Sequence, residues 1–341
     1  MRACACALLL VLGACGAKGG SPHADAAPED ARAMPSRDAA GSDAGPPRDS
    51  AAPDTTTSAA DTRVTDAEAP GGYELVWSDE FDGADGTPPD FAAKWTADLG
   101  WGEGGWGNNE LQFYTAQPEN IVQRGGNLVI SARRDNVAGK TCGGKPCQFT
   151  SARIHTKGKF EQMYGRFEAR LRVPSGSPMW PAFWMMGNDF PTPSDWPFCG
   201  EIDVMEIWGY DPGTNAGTTH DPGNGRDTAY QDTGLSGQYH LPGGGKFADD
   251  FHVFAIEWEA DAIRFFVDGK AYHCVATTTA PADHCGTVPP TRLPAQGKWV
   301  FDHPFFMLLN LAVDSEAAPD PPGTMYPRDL RVDYVRVYRK R

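Results

Sequence analysis

Residues 200–209 read Gly-Glu-Ile-Asp-Val-Met-Glu-Ile-Trp-Gly, three carboxylates inside a run that is otherwise apolar. Unpaired charge is costly to bury, so Glu201, Asp203 and Glu206 call for a wet or chemically active face. In a strand, residues i and i+2 point the same way, which aligns Glu201 with Asp203. Glu206 breaks that period and joins them only if one extra residue is absorbed near Val204 and Met205, as a β-bulge does. Cα atoms four strand positions apart are separated by roughly 13 Å, a gap that two Glu side chains narrow by leaning together. Outer carboxylates about 5 to 5.5 Å apart are what retaining glycosidases use, one as nucleophile and the other as general acid/base. The same spacing also reads as a surface strand of solvated acids, or as oxygen ligands for calcium.

Holding three acids this way requires a sheet. From Tyr73 to Arg341 the chain is a succession of short strand-like runs between Gly, Pro, Asn and Asp turns. Asn127–Arg134, Tyr164–Val173, Phe251–Glu259, Ile263–Gly269 and Val332–Arg339 are examples. Within the second, Phe167, Ala169, Leu171 and Val173 alternate with Glu168, Arg170 and Arg172, the signature of one buried and one polar face. Asp268-Gly269 reads as a hairpin turn. No helical periodicity lasts more than a couple of turns and no repeat appears. The expectation is an all-β fold, a two-sheet antiparallel sandwich of jelly-roll type with a concave cleft, over residues 72–341.

The formal net charge of −15 argues against a nucleic-acid partner, since no cluster of Lys and Arg offers phosphates a surface. A neutral polymer fits better, and 10 Trp and 17 Phe supply stacking surfaces as well as core. Residues 1–15 begin with Arg2 and an apolar run, Ala7 to Leu12, too short to span a bilayer. Leu-Gly-Ala-Cys at 12–15 resembles a bacterial lipoprotein signal, which would place a lipid on Cys15. The membrane is then met only through that anchor, and the protein is exported, at the cell surface or in the periplasm, or else freely secreted. Residues 16–71 are Ala, Asp, Pro, Ser and Thr with almost nothing to bury, which reads as a disordered tether. Of the remaining cysteines, the short separations favour Cys142 with Cys147 and Cys274 with Cys285, although sequence alone leaves connectivity open. Cys199 then reads as a buried, inert thiol.

Ten segments in order resemble the laminarinase-type endo-β-1,3-glucanases of glycoside hydrolase family 16. Among them are WSDEFDG (77–83), WGNNELQFYT (106–115), SARIHTKGKF (151–160), YGRFEARLRVPSG (164–176), WPAFWMMG (180–187), GEIDVMEIWG and VDYVRVY (332–338). The resemblance implies that Glu201 is the nucleophile, Glu206 the general acid/base and Asp203 the residue that orients and tunes the nucleophile. The two-residue gap before Glu206 is the laminarinase spacing, whereas E-x-D-x-E resembles lichenase and several marine-polysaccharide branches. Trp106, Trp180, Trp184 and Trp196 become candidate platforms for sugar rings, with Asn108, Asn109 and Glu110 as hydrogen-bonding partners and His220 near the cleavage point. Trp77 and Trp258 read as structural. Glu80, a carbonyl near Gly126, and Asp333 match a structural calcium site found in many relatives.

One departure from the family is the stretch after Val313, DSEAAPDPPGTMYP, where relatives carry Gly-Gly and a Trp. Hydrolysis of mixed-linkage glucan or a galactan, transglycosylation, and a glycan-binding sandwich without chemistry are the competing readings. No phosphate loop or dinucleotide fingerprint stands at a strand-to-helix junction, so no organic cofactor is implied. A monomer acting on a β-glucan is the expected form.

Overall fold

A computed structural model describes residues 70–191, 195–223, 234–295, 297–317, 320 and 326–341. The lipobox Cys15 and nearly all of the tether lie outside these residues. The described chain is built of two large antiparallel sheets facing one another. The cleft sheet has seven strands, in spatial order Leu235–His240, Thr214–His220, Glu201–Glu206, Met179–Gly187, Phe305–Val313, Arg153–His155 and Thr96–Asp98. Behind it lies a nine-stranded sheet in which Gly165–Arg172 pairs on one side with His252–Trp258 and on the other with the 13-residue strand Arg328–Lys340. That long strand also pairs with Tyr73–Asp79 and with Leu128–Ala132.

Alternation explains how the layers close. Phe167, Ala169, Leu171 and Val173 all enter the core between the sheets, where they join Phe183, Met185, Ile202, Leu309 and Leu311 from the cleft sheet. Trp258 is fully buried in that core and Trp77 packs against it, as their structural reading requires. The hairpin turn forms at Asp268 and Gly269, both with positive φ (49° and 74°), the backbone of a type I′ turn. Cys142–Cys147 and Cys274–Cys285 are disulfides, and Cys199 is a buried free thiol.

The two acids of the expected calcium set, Glu80 and Asp333, each face an arginine. Glu80 accepts from Arg336 through both carboxylate oxygens, at 3.0 and 2.7 Å, and Asp333 lies 2.7 Å from the Arg170 guanidinium. Each acid already faces a cation of its own strand or its neighbour, so a metal would have to displace an arginine.

Candidate active site

The strand Glu201–Glu206 carries the bulge that its spacing demands. Against Met179–Gly187, Met205 pairs with Phe183 and Asp203 with Trp184, so Val204 is the extra residue. The other neighbour shows the same slip, with Asp203 opposite Thr218 and Glu206 opposite Ala216. Ile202, Val204, Met205 and Ile207 go to the core, and the three acids share the opposite face. The bulge is pinned by the Glu206 amide, which donates to the Asn215 side chain at 3.2 Å.

An indole fixes each glutamate. Trp196 Nε1 donates to Glu201 Oε2 and Trp180 Nε1 donates to Glu206 Oε1, both at 2.8 Å. Each indole takes one carboxyl oxygen, and the Glu201 carboxyl also hydrogen-bonds with Asp203. Asp203 lies between them, 5% exposed, with His220 Nε2 at 3.1 Å from its Oδ2. Burial first, and the negative charge of Asp203 next, push Glu201 and Glu206 each up to about 8. The two are not equivalent, because Glu206 also feels the negative charge of Glu110, which favours its protonated form.

The remaining candidates divide. Trp106 and Trp184 sandwich the Arg153 guanidinium, 4.6 and 4.8 Å from the two rings, and Asp98 sits 2.9 Å from its Nε. Both rings remain partly exposed. Trp106 takes the left-handed backbone (φ 58°), and Gly102 leaves room for its ring, since a Cβ there would approach it to 2.6 Å. Asn108 and Asn109 are exposed. Glu110 is not a free hydrogen-bonding group on the surface: it is buried and accepts from Gln112 and Tyr114, and burial raises its pKa. A chain of bonds connects it to the cleft floor. Trp184 donates to Asn310 Oδ1 (2.7 Å), Asn310 donates to the Tyr114 oxygen (3.3 Å), and Tyr114 donates to Glu110 (3.0 Å).

Sequence reasoning missed Arg153, Asn310, Asn215 and Tyr114. Arg153 sits in a three-residue strand, too short for alternation to reveal its face. Asn310 is a polar residue in the otherwise apolar run Phe305–Val313, a signal that could have found it. Cys199, under Trp184 and Trp196 in a small apolar cluster with Phe306 and Leu308, has its thiol pushed up to about 12 by burial, and so stays neutral. A separate cavity of about 370 Å³, lined by residues that include Tyr73, Tyr164, Trp258 and Lys340, contains none of the acids.

Comparison with known proteins agrees with this geometry. The family model for glycosyl hydrolases family 16 matches residues 108–299. A beta-glucanase of Rhodothermus marinus is 40% identical over 279 residues, 78% of this chain and 85% of that protein. Glucan endo-1,3-beta-glucosidase A1 of Niallia circulans is 36% identical over 277 residues, 79% of this chain but only 38% of its own longer length. The laminarinase catalytic domain of Thermotoga maritima superposes with a TM-score of 0.65 at 38% identity, covering 79% of this chain and 99% of that one. With three acids on a bulged cleft strand of a jelly roll, and with these matches, the chain belongs to glycosyl hydrolases family 16, a family of glycoside hydrolases.

Proposed function

We propose that this chain is a retaining endo-β-1,3-glucanase acting on laminarin-like polymers, with Glu201 as nucleophile and Glu206 as general acid/base. The observation that carries it is the pair of indole-held glutamates flanking Asp203 on one face of a bulged strand. The names of the Niallia and Thermotoga proteins, a glucan endo-1,3-beta-glucosidase and a laminarinase, support the β-1,3 linkage.

In the first step a carboxylate oxygen of Glu201 bonds to the anomeric carbon as the glycosidic C–O bond breaks, and Glu206 gives its proton to the departing oxygen. In the second, water attacks the glycosyl-enzyme ester, Glu206 takes the water proton, and Glu201 leaves as carboxylate. The two glutamates share burial and the Asp203 charge, which push both up, and an indole N–H and the His220 charge, which pull both down; the negative charge of Glu110 acts on Glu206 in addition, in the direction a proton donor needs. Asp203, on the same strand, and His220, from the strand next door, are in contact with one another and together set the field on the nucleophile.

Proton NMR of laminarin during early hydrolysis tests the reading, because the first anomer appears before mutarotation. The β-anomer is expected, and an initial α-anomer would mean inversion and overturn the double displacement. The proposal extends to location: the protein is exported and anchored through a lipid on Cys15. The basic start, short apolar run and Leu-Gly-Ala-Cys of residues 1–15 support it, and the polar stretch that follows gives the domain reach.

A further inference from the structure

Beyond Glu206 the strand ends in Ile207, Trp208, Gly209 and Tyr210, and the two aromatic rings continue a stack that starts inside the site. The Trp180 ring, whose N–H holds Glu206, lies 5.9 Å from Trp208 at an interplanar angle of 27°. Trp208 in turn lies 6.5 Å from Tyr210 at 29°. Exposure rises outward. Trp180 and Trp208 are partly buried, and Tyr210, at 57% exposed, is the one Trp, Tyr or Phe in the exposed class among the described residues. A row of partly exposed rings leading outward from a reactive carboxyl offers a flat surface on which an apolar face can pack.

The stack is fixed before anything binds. Gly209 donates its N–H to the Met179 carbonyl at 2.8 Å, and a Cβ on it would collide with the Gly176 carbonyl oxygen at 1.7 Å. The backbone joining the two rings is thus pressed against the segment that leads into Trp180. Past Tyr210 the chain turns at once, with the Asp211 N–H donating to the Trp208 carbonyl at 2.8 Å. A platform held this way loses little conformational entropy when a ligand docks.

Resting on the function proposed above, we propose that Trp208 and Tyr210 form a subsite for pyranose rings on the leaving-group side of the cleaved bond. The direction follows from proton transfer. The oxygen that Glu206 protonates belongs to the departing sugar, so that sugar begins within hydrogen-bond reach of Glu206. Trp180 is bonded to the same carboxyl, and the rings that continue outward from Trp180 are Trp208 and Tyr210. A β-linked glucose presents C–H faces that pack on such rings, and it carries no charge for Asp211 to repel. The ligand class is therefore a neutral β-glucan of several residues downstream of the scissile bond.

The test compares kcat/KM on laminarihexaose with kcat/KM on an aryl β-laminaribioside, whose leaving group is a single aryl ring too short to reach Tyr210. Trp208→Ala and Tyr210→Ala are each expected to lower the hexaose value about tenfold, and the aryl value much less. Tyr210→Phe, which keeps the ring, is expected to restore most of the loss. Equal losses on both substrates would mean that the variants act by disturbing Trp180 and Glu206, and would overturn the subsite. No loss on either would overturn it as well. The wild-type rate on laminarin reports separately on the function: an inert wild type removes both readings, whereas an active wild type with an unmoved ratio removes only this one.

Discussion

At the scale of single residues, the two glutamates are the least stable way to fill their positions. Folded, each is pushed up to about 8, whereas an unfolded Glu titrates near about 4.3. Between those values the native state binds more protons than the unfolded one, so this contribution to stability is present at low pH and is lost as pH rises toward 8. Glu206→Gln removes the penalty. Its melting midpoint is expected to exceed wild type by about 2 to 4 °C at pH 8 and to match it at pH 4, measured by calorimetry. The same variant should lose about 10²- to 10⁴-fold in kcat on laminarin. A midpoint at pH 8 no higher than wild type would mean that the carboxyl is not held protonated. Trp196→Phe tests the other glutamate: the ring stays, the N–H on Glu201 goes, and about a tenfold drop in kcat is expected with little change in KM. That the three acids share one face was legible from charge type and a one-residue slip in the period, whereas their separate roles came only with the family resemblance. Arg153 was not legible, because its role between Trp106 and Trp184 comes from strands that are distant in sequence and adjacent only in the sheet.

At the scale of elements, the bulge is the device that turns an ordinary core strand into a catalytic one. It was legible because a charged residue at the wrong parity has only one inexpensive solution. Excising Val204 removes the bulge and leaves E-x-D-x-E, which still puts all three acids on one face. The prediction is a folded domain by circular dichroism with activity down about 100-fold, because Glu206 no longer meets Trp180 in register. Retained activity would show that the bulge is dispensable for positioning. The five strands singled out from alternation and turn residues all appear within a few residues of their expected limits. The pairs Thr141–Cys142 with Lys145–Pro146 and Gln112–Tyr114 with Phe149–Ser151 were not legible, being too short to show any period. The arginines that face Glu80 and Asp333, Arg336 and Arg170, were not legible for a similar reason, since strand pairing brings them there.

At the scale of the whole molecule, two lock points can be tested. Cys274–Cys285 closes a loop between the strand Lys270–Ala276 and the short turn at Ala282–Cys285, in an apolar cluster of its own. The double Cys→Ser variant is expected to lose about 3 kcal/mol by the loop-entropy relation, read from urea unfolding, while the kcat on laminarin stays near wild type. The second concerns export. If Cys15 bears a lipid, Cys15→Ala should move activity from the membrane fraction to the soluble fraction, and an unchanged distribution would refute the anchor.

The 13-residue strand Arg328–Lys340 stands in the middle of its sheet, flanked by segments that precede it by about 160 to 270 positions. During synthesis the earlier strands therefore wait for their spine, and the cleft sheet has no complete layer to lie against until that spine is made. A chain whose central strand comes last is slow to close while it is still being made. Trimming back to residue 327 would leave the nine-stranded sheet split in two, with nothing to rejoin its halves.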